Sequence, residues 1–531
     1  MLTQQANRRT SAPIVPNASH RSLGAKMMRN VVFGGLRYVL IVPIPFIVTP
    51  LILRRIGVAG YGTWAVFLAI NGLTSLADLG LVGTVSKFVA EYYAREDFAA
   101  LGRLMNSGLA LFLLLDCVIA VIGWLASPLL ATELFHGSTV PSSELTFLLR
   151  CFLIVIAANV LSQLFASVTT GLQRLDLTNI LSAGNVLMNA VFGISLLLWG
   201  WGLRGLVYGY IVADVLIIGV YVVLVRRLLP QVALNPTRFD QAEVRKMFGY
   251  SFRLYLTQAA VVIHNQVEKL FLAILVGVAP VGWYDIASDI SLKIRGAIGF
   301  ILAPVLPAAS ELDARGDTLR MKELYYRTHK YLALFGVPVV FYVASVARRF
   351  VELWLGSGMV IIALPLGILA IMNFVNLTTG PGFLILAGKG DMKPGMQSAV
   401  LGIVANVILS LALIYDFGFT GAVLGTSASL AITTVYFVFI FHRRTGYKMG
   451  RVLKESYWKP VLFSILILSL LLAIHPVKSL SWSGLIGRGA IFGILYVASI
   501  LFGGFFDDYD WDKIETLLPM VRHVRRLRGV A

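Results

Sequence analysis

The stretch "GVAGYGTW" at residues 57–64 returns as "GVAPVGWY" at residues 277–284. Sliding the chain by 220 positions without a gap lays Gly57, Val58, Ala59 and Gly62 on Gly277, Val278, Ala279 and Gly282. The same shift lays Glu91, Ala94, Arg95, Asp97 and Leu104 on Glu311, Ala314, Arg315, Asp317 and Leu324, so "EYYARED" coincides with "ELDARGD". A shift of 219 matches "ELFHG" from Glu133 to "ELWLG" from Glu352. At 216, Gly202, Gly205 and Gly209 fall on Gly418, Gly421 and Gly425, and Arg37 falls on Arg253. Separate matches at nearly one spacing point to an internal duplication, not to compositional bias.

What is duplicated follows from composition. Of 531 residues, 58% are hydrophobic and 14% charged, with a mean hydropathy of +0.81. A soluble domain is roughly half apolar and a quarter charged, so this is an all-α integral membrane protein. Apolar runs of about twenty residues recur, the length at which a helix crosses a bilayer, and they lack the alternation of barrel strands. Spans are expected near 31–53, 62–86, 104–127, 146–170, 177–200, 205–225, 248–275, 282–308, 328–347, 359–386, 396–415, 419–441, 458–475 and 484–505, about fourteen in all.

Each copy then holds six spans, and an even number returns the chain to its starting side. The copies share one topology and are expected to be related by a pseudo-twofold axis along the membrane normal, a device of transporters whose halves rock about a central site. The expected organisation is a disordered cytoplasmic tail (1–27), an N-lobe of spans 1–6 (28–228), a linker (229–247), a C-lobe of spans 7–12 (248–445), an added pair of spans 13–14 (446–506) and a basic cytoplasmic tail (507–531). With the N-terminus inside, cytoplasmic segments carry 32 Lys and Arg against 7 outside, which assigns both termini to the cytoplasm. The net charge of +18 lies on these inner loops, where anionic lipid headgroups account for it, so no nucleic-acid partner is expected. Cys117 and Cys151 fall within spans and imply neither a disulfide framework nor a metal site.

The ionisable residues inside spans include twelve that lie in the two lobes away from the counted loop cations: Arg37, Asp78, Asp116, Arg150, Asp214, Arg253, Glu268, Lys269, Asp285, Asp289, Lys293 and Arg295. Each would cost roughly 3 kcal/mol at the centre of a lipid-facing helix, so they must pair, face water or snorkel. Seven lie in spans 7 and 8. Helical spacing puts Arg253, Thr257, His264 and Glu268 on one stripe of span 7, and Asp285, Asp289 and Lys293 at i, i+4 and i+8 on span 8. These are faces of a hydrated cavity or of a buried salt-bridge seam. Arg37, Arg253, Lys269, Lys293 and Arg295 outnumber Glu268, Asp285 and Asp289, a surplus suited to phosphate. His264, one turn from Glu268, is a candidate proton-coupling partner or a hydrogen-bonded structural residue. Arg150 and Asp214 read as internal to the lobe or near an interface. Pro43, Pro45 and Pro50 are expected to bend span 1, and Pro304 and Pro307 to break span 8.

The block "RRIGVAGYGTWAVFLAINGLTSLADLGLVGTVSKFVAE" resembles the polysaccharide transporters, flippases of lipid-linked oligosaccharides in the multidrug/oligosaccharidyl-lipid/polysaccharide (MOP) superfamily. That family's pattern of leucine-glycine, tyrosine-glycine and aspartate-x-glycine falls on Ile56-Gly57, Tyr61-Gly62 and Asp78-Leu79-Gly80, with isoleucine replacing leucine; "AGKGDMKP" after span 10 is similar to its inner loop. The resemblance covers about residues 28–445. It implies a V-shaped pair of lobes with a cavity lined by spans 1, 2, 7 and 8. A polyprenyl-(pyro)phosphate oligosaccharide would enter from the cytoplasmic leaflet, its phosphates near Arg37, Arg253, Lys293 and Arg295. Spans 13–14 keep a lipid II flippase as an alternative, since that subgroup also carries two extra spans, which there form a lipid-binding groove.

On this reading the site comprises Arg37, Asp78, Arg253, His264, Glu268, Lys269, Asp285, Asp289, Lys293 and Arg295. No cofactor or metal is expected, and a coupling ion, proton or sodium, is left open. Expected partners are the lipid-linked oligosaccharide, membrane lipids and other polysaccharide-assembly proteins, in a bacterial inner membrane. A multidrug or cation antiporter of the superfamily would favour an acidic cavity. A membrane glycosyltransferase, polymerase or ligase would need a large outer domain, whereas the longest outer connection, "SPLLATELFHGSTVPSSEL", has about twenty residues. No GxxxxGK[ST], HExxH or paired CxxC offers ATP or metal chemistry, and no enzyme activity is expected.

Overall fold

The computed structural model describes residues 41–76, 80–474, 476–477 and 481–517; within its helices, side chains at 249–254, 256–258, 260–261, 514 and 516–517 are excepted. The chain enters on α1 (Pro43–Thr74), followed by α2 (Leu81–Ala94), α3 (Phe98–Glu133), α4 (Ser142–Gly171), α5 (Leu175–Leu196) and α6 (Gly202–Leu228). The second copy comprises α7 (Gln241–Leu275), α8 (Val278–Gly299), α9 (Val305–Ala314), α10 (Thr318–Leu355), α11 (Ala363–Leu377), α12 (Gly380–Gly388) and α13 (Lys393–Thr445). Then come α14 (Trp458–Ile474), α15 (Trp482–Phe502) and the short α16 (Asp508–Leu517).

Among the described residues, ten helical stretches are long and apolar enough to cross a membrane. Three of them hold two spans each. α1 is broken at Gly57, the stretch Leu175–Leu228 at Gly200 and Gly202, and α13 at Gly418. The 35-residue α7 is absent from the ten; it is too polar by composition, yet it runs between the two sides of the bundle. Resolved in this way, the helices agree with the expected fourteen spans. The span 8 prolines also act as expected: α8 stops at Gly299, a 3-10 turn covers Phe300–Leu302, and Pro304 caps α9.

The duplication is visible in backbone angles. Gly57 (φ 71°, ψ −179°) and Gly277 (φ 118°, ψ 175°) occupy one region open essentially to glycine alone, and each turns the chain into a new span. Gly202 (φ 56°, ψ −135°) and Gly418 (φ 53°, ψ −127°) share another. Asp97 and Asp317 cap α3 and α10 alike, accepting from the backbone N–H of Ala100 at 2.9 Å and Arg320 at 3.0 Å. The residues before them, Glu96 and Gly316, both have positive φ, 56° and 67°.

The hydrophobic core shows how the lobes meet. One cluster is shared by both: Trp64, Phe67 and Phe152 of the first copy pack with Val278, Tyr284 and Leu366 of the second. At the opposite end the copies have separate cores, around Leu81, Phe88 and Leu104 in the first and around Tyr325, Ile385 and Phe441 in the second. Lobes joined at one end and individually packed at the other form the V expected from the resemblance. The junction depends on small residues, since a Cβ on Gly62 would lie 1.8 Å from the Val278 carbonyl oxygen and one on Gly282 would lie 3.2 Å from the Gly62 backbone. At the end bearing the basic excess, the start of α7 is fastened to the first lobe. There the Tyr92 hydroxyl donates to Glu243 at 2.9 Å, Lys246 Nζ donates to the Tyr92 hydroxyl at 2.6 Å, and the Asp240 N–H donates to Ser107 Oγ at 2.8 Å. α14 and α15 pack on α10 through Phe341, Tyr342, Phe492 and Tyr496.

Candidate functional site

Of the ten candidate site residues, Arg37 and Asp78 lie outside the described residues, and Arg253 is placed on α7 with its side chain outside the description. The other seven lie on α7 and α8 and divide among three environments.

The first is a cavity of about 290 Å³ between the lobes, just inside their junction. α1 contributes Thr49 and Tyr61, α5 Asn189, α6 Tyr210, α7 Gln266 and Lys269, and α8 Asp285 and Asp289. Lys269 Nζ lies 2.6 Å from Asp285 Oδ1, with only 13% and 10% of the two side chains exposed. Across the interface, the Tyr61 hydroxyl donates to Asp285 Oδ2 at 2.9 Å. Lys293 pairs with Asp289 one turn away on α8. The alternatives of cavity and seam therefore merge, because ion pairs form the wall of the opening.

The second environment is a cavity of about 600 Å³ within the second lobe, lined largely by apolar residues of α11, α12 and α13 together with His264 and Arg295. Arg295 donates to Asn373 Oδ1 at 3.2 Å and has no carboxylate partner among the described residues. Apolar walls with one guanidinium suit an anion carried on a hydrocarbon.

The third is a buried polar knot. Glu268 is fully buried, and its Oε1 accepts from Asn406 Nδ2 and, at 2.9 Å, from the Thr426 hydroxyl. Glu268 Oε2, Asn406 Oδ1 and Ser410 Oγ have no hydrogen-bond partner among the described residues. Glu268 thus bonds to α13 instead of to His264. An ionised carboxylate with an orphaned oxygen in this setting costs several kcal/mol, so the site calls for a proton or a small cation. Among the described residues no cluster of three His, Cys, Asp or Glu could hold a metal ion.

The sequence reading missed Tyr61, Tyr210, Asn406, Thr426 and Ser410. Tyr61 sits inside the repeated turn, and the others are polar side chains set in apolar helices, the one signal that could have exposed them. Besides Asp176, which pairs with Arg174, two further carboxylates are buried in the first lobe. Asp214 accepts from Asn159 Nδ2 at 2.9 Å, as expected of a lobe-internal group, and neither oxygen of Asp116 has a partner among the described residues.

Two similar helical lobes, joined at one end about a charged interlobe cavity, define a multi-pass membrane protein of the MOP transporter fold. Solved structures bear this out. The lipid II flippase MurJ in an inward closed conformation superimposes with a TM-score of 0.72 over 89% of this chain and 98% of its own, at 14% identity. An inward-facing multidrug resistance MATE family transporter gives 0.62 over 76% and 94%, also at 14% identity. The model of the family described as "Polysaccharide biosynthesis protein" matches residues 27–313, and the chain belongs to that family. A relative in Haloferax volcanii, named a "Probable low-salt glycan biosynthesis flippase", is 22% identical over 411 residues, spanning 72% of this chain and 76% of its own.

Proposed function

We propose that the protein is a flippase that moves a polyprenyl-(pyro)phosphate-linked oligosaccharide from the cytoplasmic to the outer leaflet by alternating access, for cell-surface polysaccharide biosynthesis. The observation that carries this reading is the interlobe cavity, bounded by both copies and walled by Lys269, Asp285 and Asp289. Rocking about the Gly62–Gly282 contact would open it to either side, which requires the α7 start to leave Tyr92. The sugar headgroup has hydrogen-bond partners in Tyr61, Asn189 and Gln266. Its phosphates would meet Arg295 and Lys293, with Arg37 and Arg253 as further candidates. Glu268 would carry the coupling charge, a proton or a cation, because its occupancy changes the charge buried against α13. Binding and rocking need no bond-making, so no catalytic residue is assigned. Membership of the family and the kinship with the Haloferax glycan biosynthesis flippase support the substrate class, and the basic excess supports an inner membrane with both termini cytoplasmic.

The test is translocation of a labelled polyprenyl-pyrophosphate oligosaccharide in proteoliposomes. The wild type should flip it, and Glu268→Gln and Arg295→Ala should each slow flipping at least about tenfold, one lost charge-assisted interaction. Vesicles that flip no lipid-linked sugar but extrude organic cations would overturn the proposal. A second reading, lipid II transport, is favoured by the MurJ superposition, whose 89% share of the chain is more than the two lobes alone make up. Competition between the two lipids in the same vesicles separates them.

A further inference from the structure

Away from the interlobe cavity, at the end of the bundle that carries the basic excess, three segments converge on a hollow of about 730 Å³. They are the first turns of α10, the segment leading into α14, and the turn between α15 and α16. It shares no lining residue with either cavity described above. Six Lys and Arg side chains and three carboxylates line it, a surplus of three positive charges in a concave space.

The cations play two parts. Arg327 and Lys330 are held by the buried Asp510, the former at 3.1 Å, and by Asp507 at 3.4 Å each. Arg327 also binds Glu323 at 2.7 Å and lies 3.7 Å from the centre of the Tyr509 ring. These contacts fix the wall. Lys322 and Lys454, on different segments, are exposed and form no ion pair among the described residues. Trp458, half exposed at the first position of α14, sits on the rim where a span enters the membrane. An indole at that level marks the headgroup zone, and a basic hollow between span ends is suited to a phosphate there.

We propose that this hollow is a binding site for a phosphate group at the inner membrane surface, with Lys322 and Lys454 as its direct donors. Ammonium groups on separate segments converge on one anion, and the bound phosphate ties α10 to α14 and α15, fastening the added pair of spans to the second lobe. A phospholipid headgroup and a soluble phosphate offer the same chemistry.

The full chain, purified in detergent, is titrated with short-chain phosphatidylglycerol, with phosphatidylcholine and with inorganic phosphate. Melting temperature and direct binding are read together. Phosphatidylglycerol should bind and raise the melting temperature, and Lys322→Gln with Lys454→Gln should weaken binding roughly 25-fold, about fivefold per lost cation. Arg226→Gln with Arg227→Gln, an exposed basic pair at the end of α6 outside the hollow, should change it less than about twofold. Inorganic phosphate that binds with the same lysine dependence identifies the soluble source; phosphate that fails while the glycerolipid binds identifies the lipid. Equal losses in the two double variants, or none in the lysine pair whose unliganded melting temperature is normal, would overturn the site.

Discussion

The first and second lobes share backbone angles at four matched turns and caps, yet they bury different chemistry. Facing α7 and α8, the second lobe encloses Glu268 with Asn406 and Thr426, the Lys269–Asp285 pair and the Arg295–Asn373 contact. Across the junction the first lobe offers the hydroxyls of Tyr61 and Tyr210; of its buried carboxylates, Asp116 and Asp214 bear no ion pair among the described residues, while Asp176 pairs with Arg174 at the start of α5, away from the junction. A turn at ψ near 180° with positive φ has one solution, glycine, and it survives duplication as a letter. A polar face has many solutions, so the copies were free to divide the work. At the interlobe cavity the first supplies hydrogen-bonding groups and the second the charges.

That division predicts unequal damage. Removing Lys269 leaves Asp285 charged and buried, so Lys269→Ala should cost about 3–5 kcal/mol, whereas Lys269→Met with Asp285→Leu should recover much of it. Unfolding in detergent measures both, and a single variant no less stable than the double would show that the pair is not buried in the working protein. Next is the junction. Gly62→Ala drives a methyl into the Val278 carbonyl and should cost about 3 kcal/mol, with Gly282→Ala, whose methyl meets a softer 3.2 Å contact, nearer 1 kcal/mol. Equal costs would break the asymmetry seen across the pseudo-axis.

The repeated turn allows a finer test, because strain is common to both copies and crowding is not. Nothing lies within 4 Å of a Cβ at Gly57, while one at Gly277 would meet the His136 carbonyl oxygen at 2.8 Å. Gly57→Ala should therefore show the backbone cost alone, about 1–2 kcal/mol, and Gly277→Ala should exceed it by the added clash. Two equal values would mean that His136 gives way.

The same contrast explains what could be read in advance. Spans and duplication follow from apolar length and from glycines, signals carried along the chain, the V is what the family resemblance implies, and α7 and α8 announced themselves by seven charges in two spans. Partnerships across the fold left no such trace. Tyr61 meets Asp285 over 224 positions, and Asn406 meets Glu268 over 138. The i, i+4 pair Asp289–Lys293 was legible because a helix repeats every 3.6 residues, but helical spacing also suggested His264 beside Glu268, where packing against α13 offered Glu268 better donors. Tertiary contacts decide which of several polar neighbours is used.

The smallest expected effect concerns α16, whose first turn is joined to α10 by ion pairs in addition to the burial of Trp511. Burial pushes the Asp507 carboxyl up, but the Asp510 backbone N–H, Lys330 and Arg327 outweigh it and hold Asp507 below the usual carboxylate range. A group whose proton affinity is lowered by folding contributes stability above its unfolded value, about 3.9, and loses it as pH falls through the folded one. Asp507 is half exposed, so water screens the gain and the consequence is local, not global. Its Oδ1 accepts from the Asp510 N–H at 3.0 Å, and Asp510 in turn holds Arg327, Lys330 and the Tyr331 hydroxyl, so protonation should loosen the first turn of α16 from α10 before anything else moves. Hydrogen exchange at residues 508–512, corrected for the intrinsic rate, should accelerate between pH 5 and pH 3 by a few-fold. In Asp507→Asn it should already be faster at pH 5 and change less on acidification. A variant with wild-type protection and wild-type pH response would move the anchor from Asp507 to the buried Asp510.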